Sequence, residues 1–154
     1  MAPFVARPVP AAGRVGTVVE YSELTELPGD LSSDEQVGRM LAALAATGQR
    51  EDTLVIFMSD HGELLGDHGI YLKGPHFYDA SVRVPLILSQ PGVISAGTTS
   101  SLVELIDLAP TLLRLAGLPQ SPAMQGKPLQ PLFAHPARPH RSSVFCENND
   151  FDEP

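Results

Sequence analysis

Thr53-Leu54-Val55-Ile56-Phe57-Met58 runs directly into Ser59-Asp60-His61-Gly62-Glu63, and the passage continues through Leu65-Gly66-Asp67-His68-Gly69 to Lys73-Gly74-Pro75-His76. The first six residues are apolar or β-branched with no polar alternation. That pattern predicts a strand covered on both faces, as in a parallel sheet, rather than one half-exposed to water. The ionisable residues then begin where such a strand ends. In open α/β sheets that carboxyl edge is where ligands bind.

The flanking sequence supports the same architecture. Ser33 with Gln36 forms a possible capping box, and Val37, Met40, Leu41 and Leu44 recur at helical spacing up to Gly48. The spacing predicts an amphipathic helix, joined to the strand by a short polar connection. Helix, short loop and buried strand make half of a βαβ unit. Val82, Val84, Leu86, Ile87 and Leu88 predict a second strand, with Pro85 tolerable only near its start or on an edge. Asp107 is placed to cap a second helix carrying Pro110 in its first turn and Leu108, Leu112 and Leu115 on one face, before Gly117 and Pro119 stop it. The fold class expected is therefore α/β, part of a doubly wound, mainly parallel sheet flanked by helices. Residues 1–31 read as a linker or lead-in, 32–133 as a partial core, and 134–154 as a proline-broken segment with an acidic tail. Within that last part only Val144, Phe145 and Cys146 suggest another strand.

Composition narrows the function classes. The chain has 154 residues and a net charge of −8, with scattered Lys and Arg, which argues against nucleic acid as a partner. No apolar run approaches the roughly 20 residues of a membrane helix. The N-terminus lacks the apolar core of a signal peptide, so a cytoplasmic location is the expectation. A single cysteine, Cys146, excludes an internal disulfide and a cysteine-built zinc site.

Asp60 and His61 are adjacent on a loop, not spaced along a helix, which suits a hard-cation site better than a helix-borne zinc site. They supply two donors of a shell of roughly six. Lys73 and His76, with Gly74 and Pro75 between them, suit an anion: the ammonium offers a compact charge and the imidazole a proton for a leaving oxygen. The same residues also fit a structural surface pair and a solvated loop lysine beside a packing histidine. Glu63 reads as a loop cap, Asp67 as exposed, His68 as a support behind the metal ligands, and Arg83 as a structural ion-pair partner.

The ordered series Thr53 to Glu63, Leu65 to Gly69, Lys73-Gly74 and Val82-Arg83-Val84-Pro85-Leu86-Ile87 resembles the sulfatase family of the alkaline phosphatase superfamily. Asp34-Glu35-Gln36-Val37-Gly38-Arg39 upstream and Asp107-Leu108-Ala109-Pro110-Thr111-Leu112-Leu113 downstream extend the resemblance over about residues 34–133. The pattern resembles that of aryl and choline sulfatases and of phosphonate monoester hydrolases. The resemblance implies an alkaline phosphatase-like fold and a small-molecule sulfate ester as substrate. It implies that Asp60 and His61 are ligands of a divalent cation, calcium first, with manganese or magnesium as alternatives because His61 stands where many relatives carry Asn. It also implies that Lys73 holds the sulfate or leaving oxygen. His76 is the candidate acid, although the family often draws its acid from an earlier segment. A phosphonate or phosphate monoester hydrolase, or a catalytically inactive cation-binding fragment, is the alternative.

One family feature is missing from the pattern. Sulfatases form a formylglycine nucleophile from a Cys-x-Pro-Ser-Arg type segment, whereas Cys146 is followed by Glu147-Asn148-Asn149. The expectation is that this chain holds the C-terminal part of a sulfatase core. It would then be inactive alone, and would pair with an N-terminal half or with a second copy.

Overall fold

The computed structural model describes residues 8–11, 14–17 and 33–148. Helix α1 spans Ser33–Ala46, and Val37, Met40, Leu41 and Leu44 are half-buried along one face, as their spacing predicts. The Gln36 side chain, read as half of a capping box, is used within the helix: its Oε1 accepts from Arg39 at 3.1 Å. The helix closes at Gly48, whose left-handed φ of 69° lets its amide reach the Ala45 carbonyl while Gln49 N–H reaches Leu44. The connection that follows is tied down at both ends. Thr53 is buried and its hydroxyl donates to the Gln49 carbonyl, while Arg50 donates to the Thr53 carbonyl and the Ser89 hydroxyl.

Strand β3, Val55–Met58, begins two residues later than the apolar run, with Thr53 and Leu54 buried ahead of it. It pairs antiparallel with β4, Leu86–Ser89, from Val55 opposite Ser89 to Met58 opposite Leu86. The α/β class stands, but the pair this chain supplies is not parallel. A parallel return needs a crossover of a dozen or more residues that carries the chain back past the first strand's start. Here the intervening loop stays at the carboxyl end of β3, and its only α-helix is the four-residue α2, Asp79–Val82, beside a single 3-10 turn at Asp67–Gly69. An antiparallel edge strand is common in otherwise parallel doubly wound sheets.

Val82 therefore lies in a helix rather than on the second strand. Its amide donates to the Tyr78 carbonyl, and Pro85 delays the strand until Leu86.

The core packs against β4 through Leu86 and Leu88. Leu129, Leu132 and Phe133 are buried, with Leu86, Leu88, Ile94, Val103, Leu108 and Leu115 packed around them. Helix α3, Leu108–Leu115, supplies two of these, and α4, Gln130–Ala134, supplies the buried pair Leu132 and Phe133. Helix α4 falls at the end of the stretch read as a partial core and has no counterpart in the sequence reading. Pro131 sits in its first turn, where a missing N–H costs nothing. Val144–Cys146 forms no strand; the Phe145 amide donates instead to Glu104. In the stretch read as a linker, β1, Pro8–Ala11, and β2, Arg14–Thr17, form an antiparallel pair. The rest of that lead-in and the tail after Asn148 lie outside the described residues.

Asp107 was expected to cap α3 but does something else. It ends a 3-10 turn, Leu105–Asp107, and its side chain makes no bond to α3. The carboxylate is fully buried and accepts from the amides of Glu104 and Lys127, from the Arg141 guanidinium, and from His140 Nε2 at 3.2 Å. Arg141 also pairs with Glu104 at 2.6 Å. Gly126 permits the Lys127 contact, since a Cβ there would overlap the Ile106 carbonyl. The Asp107 carbonyl and the Leu129 amide are bridged by the Thr111 hydroxyl, which carries the cluster into the apolar core.

Burial alone would raise the Asp107 pKa, but the Arg141 bond, the two amides and the guanidinium charge outweigh it, and the net shift is downward. A depressed carboxylate pKa stabilises the fold above the ordinary carboxylate range, and that stability is lost as pH falls through the lowered value. Asp107→Asn removes one of the two carboxylates paired with Arg141, the other being Glu104, and is expected to cost about 3–5 kcal/mol. Urea unfolding across acidic pH checks both points: the variant should be less stable at neutral pH and should lose part of the wild-type acid dependence.

Candidate metal and anion site

The turn after β3 sets two side chains toward solvent. The Ser59 hydroxyl donates to the His61 carbonyl at 2.6 Å, and Asp60 Oδ1 accepts the His61 amide at 2.9 Å. His61 Nδ1 lies 2.8 Å from the Gly62 carbonyl. A carbonyl can only accept, so that bond requires the proton on Nδ1 and leaves the Nε2 lone pair free. Nε2 stands 3.7 Å from Asp60 Oδ1, whose side chain is 82% exposed. Two donors held about 2.1–2.5 Å from one ion at a right angle stand about 3–3.5 Å apart. The observed gap closes to that range with a small side-chain movement.

The rest of the loop is anchored at its ends. Gly62 N–H donates to the Ser81 carbonyl at 2.8 Å, and a Cβ at Gly62 would overlap the Ala80 carbonyl, so only glycine allows the approach. Leu64 is buried, and Glu63 caps the turn by accepting from the Leu64 amide at 3.0 Å. Between these anchors Leu65, His68 and Leu72 hold left-handed φ angles of 50°, 58° and 70°. Such conformations are costly for residues with a Cβ and persist only where surroundings enforce them. One enforcing contact is visible: the His68 ring stacks on Tyr78 with centroids 3.8 Å apart.

Asp60 and His61 are thus brought together. Lys73 is joined to the same turn through its backbone, because the Ser81 hydroxyl donates to the Lys73 carbonyl at 3.3 Å. Its side chain is exposed and makes no hydrogen bond or ion pair among the described residues. His76 is exposed too and tilts toward Tyr78 at 5.7 Å, with no contact to Asp60 or His61 among the described residues. His68 packs on Tyr78 rather than on His61. Arg83 makes the exposed pair expected of it, with Asp79 at 3.6 Å. Cys146 is exposed.

Among the described residues no three His, Cys, Asp or Glu side chains converge as a metal site. The donors present, one carboxylate oxygen and one free imidazole nitrogen, fit two positions of a divalent shell.

The family model described as Sulfatase matches residues 31–118. The chain belongs to the sulfatase family. It is 40% identical over 119 residues to arylsulfatase K of Danio rerio, a match covering 75% of this chain and 23% of that protein. It is 41% identical over 85 residues to choline-sulfatase of Rhizobium meliloti, covering 55% and 16%. Among solved structures it resembles BT4656 in complex with its substrate D-glucosamine-2-N,6-O-disulfate, with a TM-score of 0.65, 34% identity and coverage of 71% and 22%.

The chain spans about a fifth of the length of the curated relatives it matches. Its architecture is that of the alkaline phosphatase-like α/β sulfatases. Sulfatases as a family are generally metal-dependent. No helix among the described residues is long and apolar enough to cross a membrane.

Sequence reading identified the polar side chains of this sulfatase loop but not Gly62 and Ser81, which hold them in place. Gly62 was visible only as a turn residue, and Ser81 carried no local signal at all. Gly62→Ala is expected to break the contact with the Ala80–Ser81 backbone. Amide exchange should then accelerate across residues 62–76, while the Leu129–Phe133 core keeps its protection.

Proposed function

We propose that this chain contributes to a hydrolase of sulfate monoesters, with Asp60 and His61 holding a divalent cation and Lys73 contacting the sulfate. The observation that carries this reading is the locked His61 ring: its Nδ1 is committed to the Gly62 carbonyl, and its free Nε2 faces the same solvent space as the exposed Asp60 carboxylate. A buried structural histidine would have both nitrogens satisfied. A cation bound there would stabilise negative charge on the ester oxygens.

Lys73 adds a compact positive charge from an otherwise uncommitted ammonium. His76 is the residue proposed to protonate the departing alcohol oxygen, a role open to an exposed imidazole on the loop that carries Lys73. Calcium is the first choice of cation, and the imidazole donor keeps manganese or magnesium in play. The substrate is a small sulfate ester. A second reading, hydrolysis of phosphonate monoesters, has support from the structure of phosphonate monoester hydrolase SpPMH from Silicibacter pomeroyi, which matches with a TM-score of 0.62 and 37% identity over 68% of this chain and 21% of that one.

Thermal unfolding with calcium or manganese tests the cation site. At about 100 times its dissociation constant a bound ion adds about 2.7 kcal/mol of stability. Asp60→Ala and His61→Ala should each abolish that gain, and an undiminished gain in both variants would rule the site out. Lys73→Ala should keep the cation response and weaken binding of inorganic sulfate roughly ten- to hundredfold, the range for losing a charged hydrogen bond. Tighter binding of phenylphosphonate than of an aryl sulfate by the cation-loaded chain would favour the phosphonate reading.

A further inference from the structure

We infer that Ser81 is a positioning residue that couples the anion contact at Lys73 to the cation turn at Asp60 and His61. The inference rests on the proposed function for the roles of those three side chains, but the coupling itself stands on the geometry of one buried residue. Ser81 lies in α2 and is 6% exposed. Its amide is used by the Tyr78 carbonyl at 2.8 Å, and its carbonyl accepts Gly62 N–H at 2.8 Å. Its hydroxyl donates to the Lys73 carbonyl at 3.3 Å.

One residue therefore grips both strands of the loop, the arm that leaves β3 with Asp60 and His61 and the arm that returns with Lys73. The two grips are chemically separable. The bond to Gly62 uses the backbone and survives any side-chain change, whereas the bond to Lys73 uses the hydroxyl alone.

The returning arm has few other restraints. Every residue from Tyr71 to Ala80 is exposed, and Leu72 beside Lys73 holds a left-handed φ of 70°. Without the hydroxyl, the carbonyl of Lys73 is free to turn and the Leu72 conformation can relax. The ammonium would then sample a wider volume around the cation turn. Anion affinity should fall while cation affinity stays, a split that general destabilisation would not produce.

Ser81→Ala tests this in the full chain by two independent readouts. Amide exchange should rise at residues 72–76 and stay unchanged at residues 60–64. Titration with inorganic sulfate, followed by the Lys73 amide resonance in the presence of manganese-free calcium buffer, should show about three- to tenfold weaker binding, the range for one neutral hydrogen bond. The calcium-induced rise in melting temperature should match wild type. Unchanged exchange at residues 72–76 overturns the coupling. Equal losses of sulfate and calcium response also overturn it, because they mark a structural role only. If wild-type chain shows no sulfate response at Lys73, the proposed anion role fails, and the exchange readout still decides whether Ser81 holds the two arms together.

Discussion

The Asp107 carboxylate is the constraint on which most of this structure depends. A buried charge without partners costs several kcal/mol, so its surroundings must converge on it. They do so from three places in the sequence: the Glu104 amide, the Lys127 amide, and the adjacent side chains of His140 and Arg141. The Lys127 bond draws the chain after α3 back across the helix start, and Thr111 extends that contact to Leu129. Leu129 then begins the core cluster with Leu132 and Phe133. A polar network thus sets where an apolar core forms, and Arg141 fixes the C-terminal segment against the same point. The Asp107 bond that raises the Arg141 pKa keeps the guanidinium charged at any physiological pH.

Asp60 shows the opposite use of the same side chain. It lies at the end of β3, largely exposed, and among the described residues its carboxylate is engaged only by the adjacent His61 amide, near the His61 ring. A carboxylate whose charge is already neutralised by a guanidinium has little to offer a cation. One left in solvent beside a free imidazole nitrogen retains its charge for a ligand. Two aspartates of one chain are therefore separated by environment, one buried in an ion-pair network and one left in solvent.

Between them lies a loop whose conformation is enforced rather than preferred. Three non-glycine residues with left-handed backbones are held there by the Gly62–Ser81 contact, the buried Leu64 and the His68–Tyr78 stack. Strain of this kind clusters at functional sites, and the loop that holds it carries Lys73 and His76, the residues proposed to meet the anion and the leaving oxygen. The sheet pair behind the loop is short, and Ile87 remains 59% exposed in the middle of β4. The loop's order thus comes from its own tethers as much as from the sheet.

Local sequence determined the elements with strong local signals. Helix α1 follows from the spacing of Val37 to Leu44 and the stop at Gly48, α3 from Leu108 to Leu115 with Pro110 in its first turn, and β3 from an unbroken apolar run. The order of motifs around Asp60, His61 and Lys73 was enough to point to the sulfatase family, because it records the chemistry of side chains at a strand end. Tertiary structure alone decided the rest. The antiparallel return of β4 depends on where a loop is tethered, and α4 forms because Leu132 and Phe133 find a core to enter. Asp107 meets Arg141 across 34 residues, and Gly62 meets Ser81 through a backbone approach that no side chain advertises. Local spacing encodes propensity and chemistry, whereas which distant groups share a buried charge or a close contact is settled only when the whole chain packs.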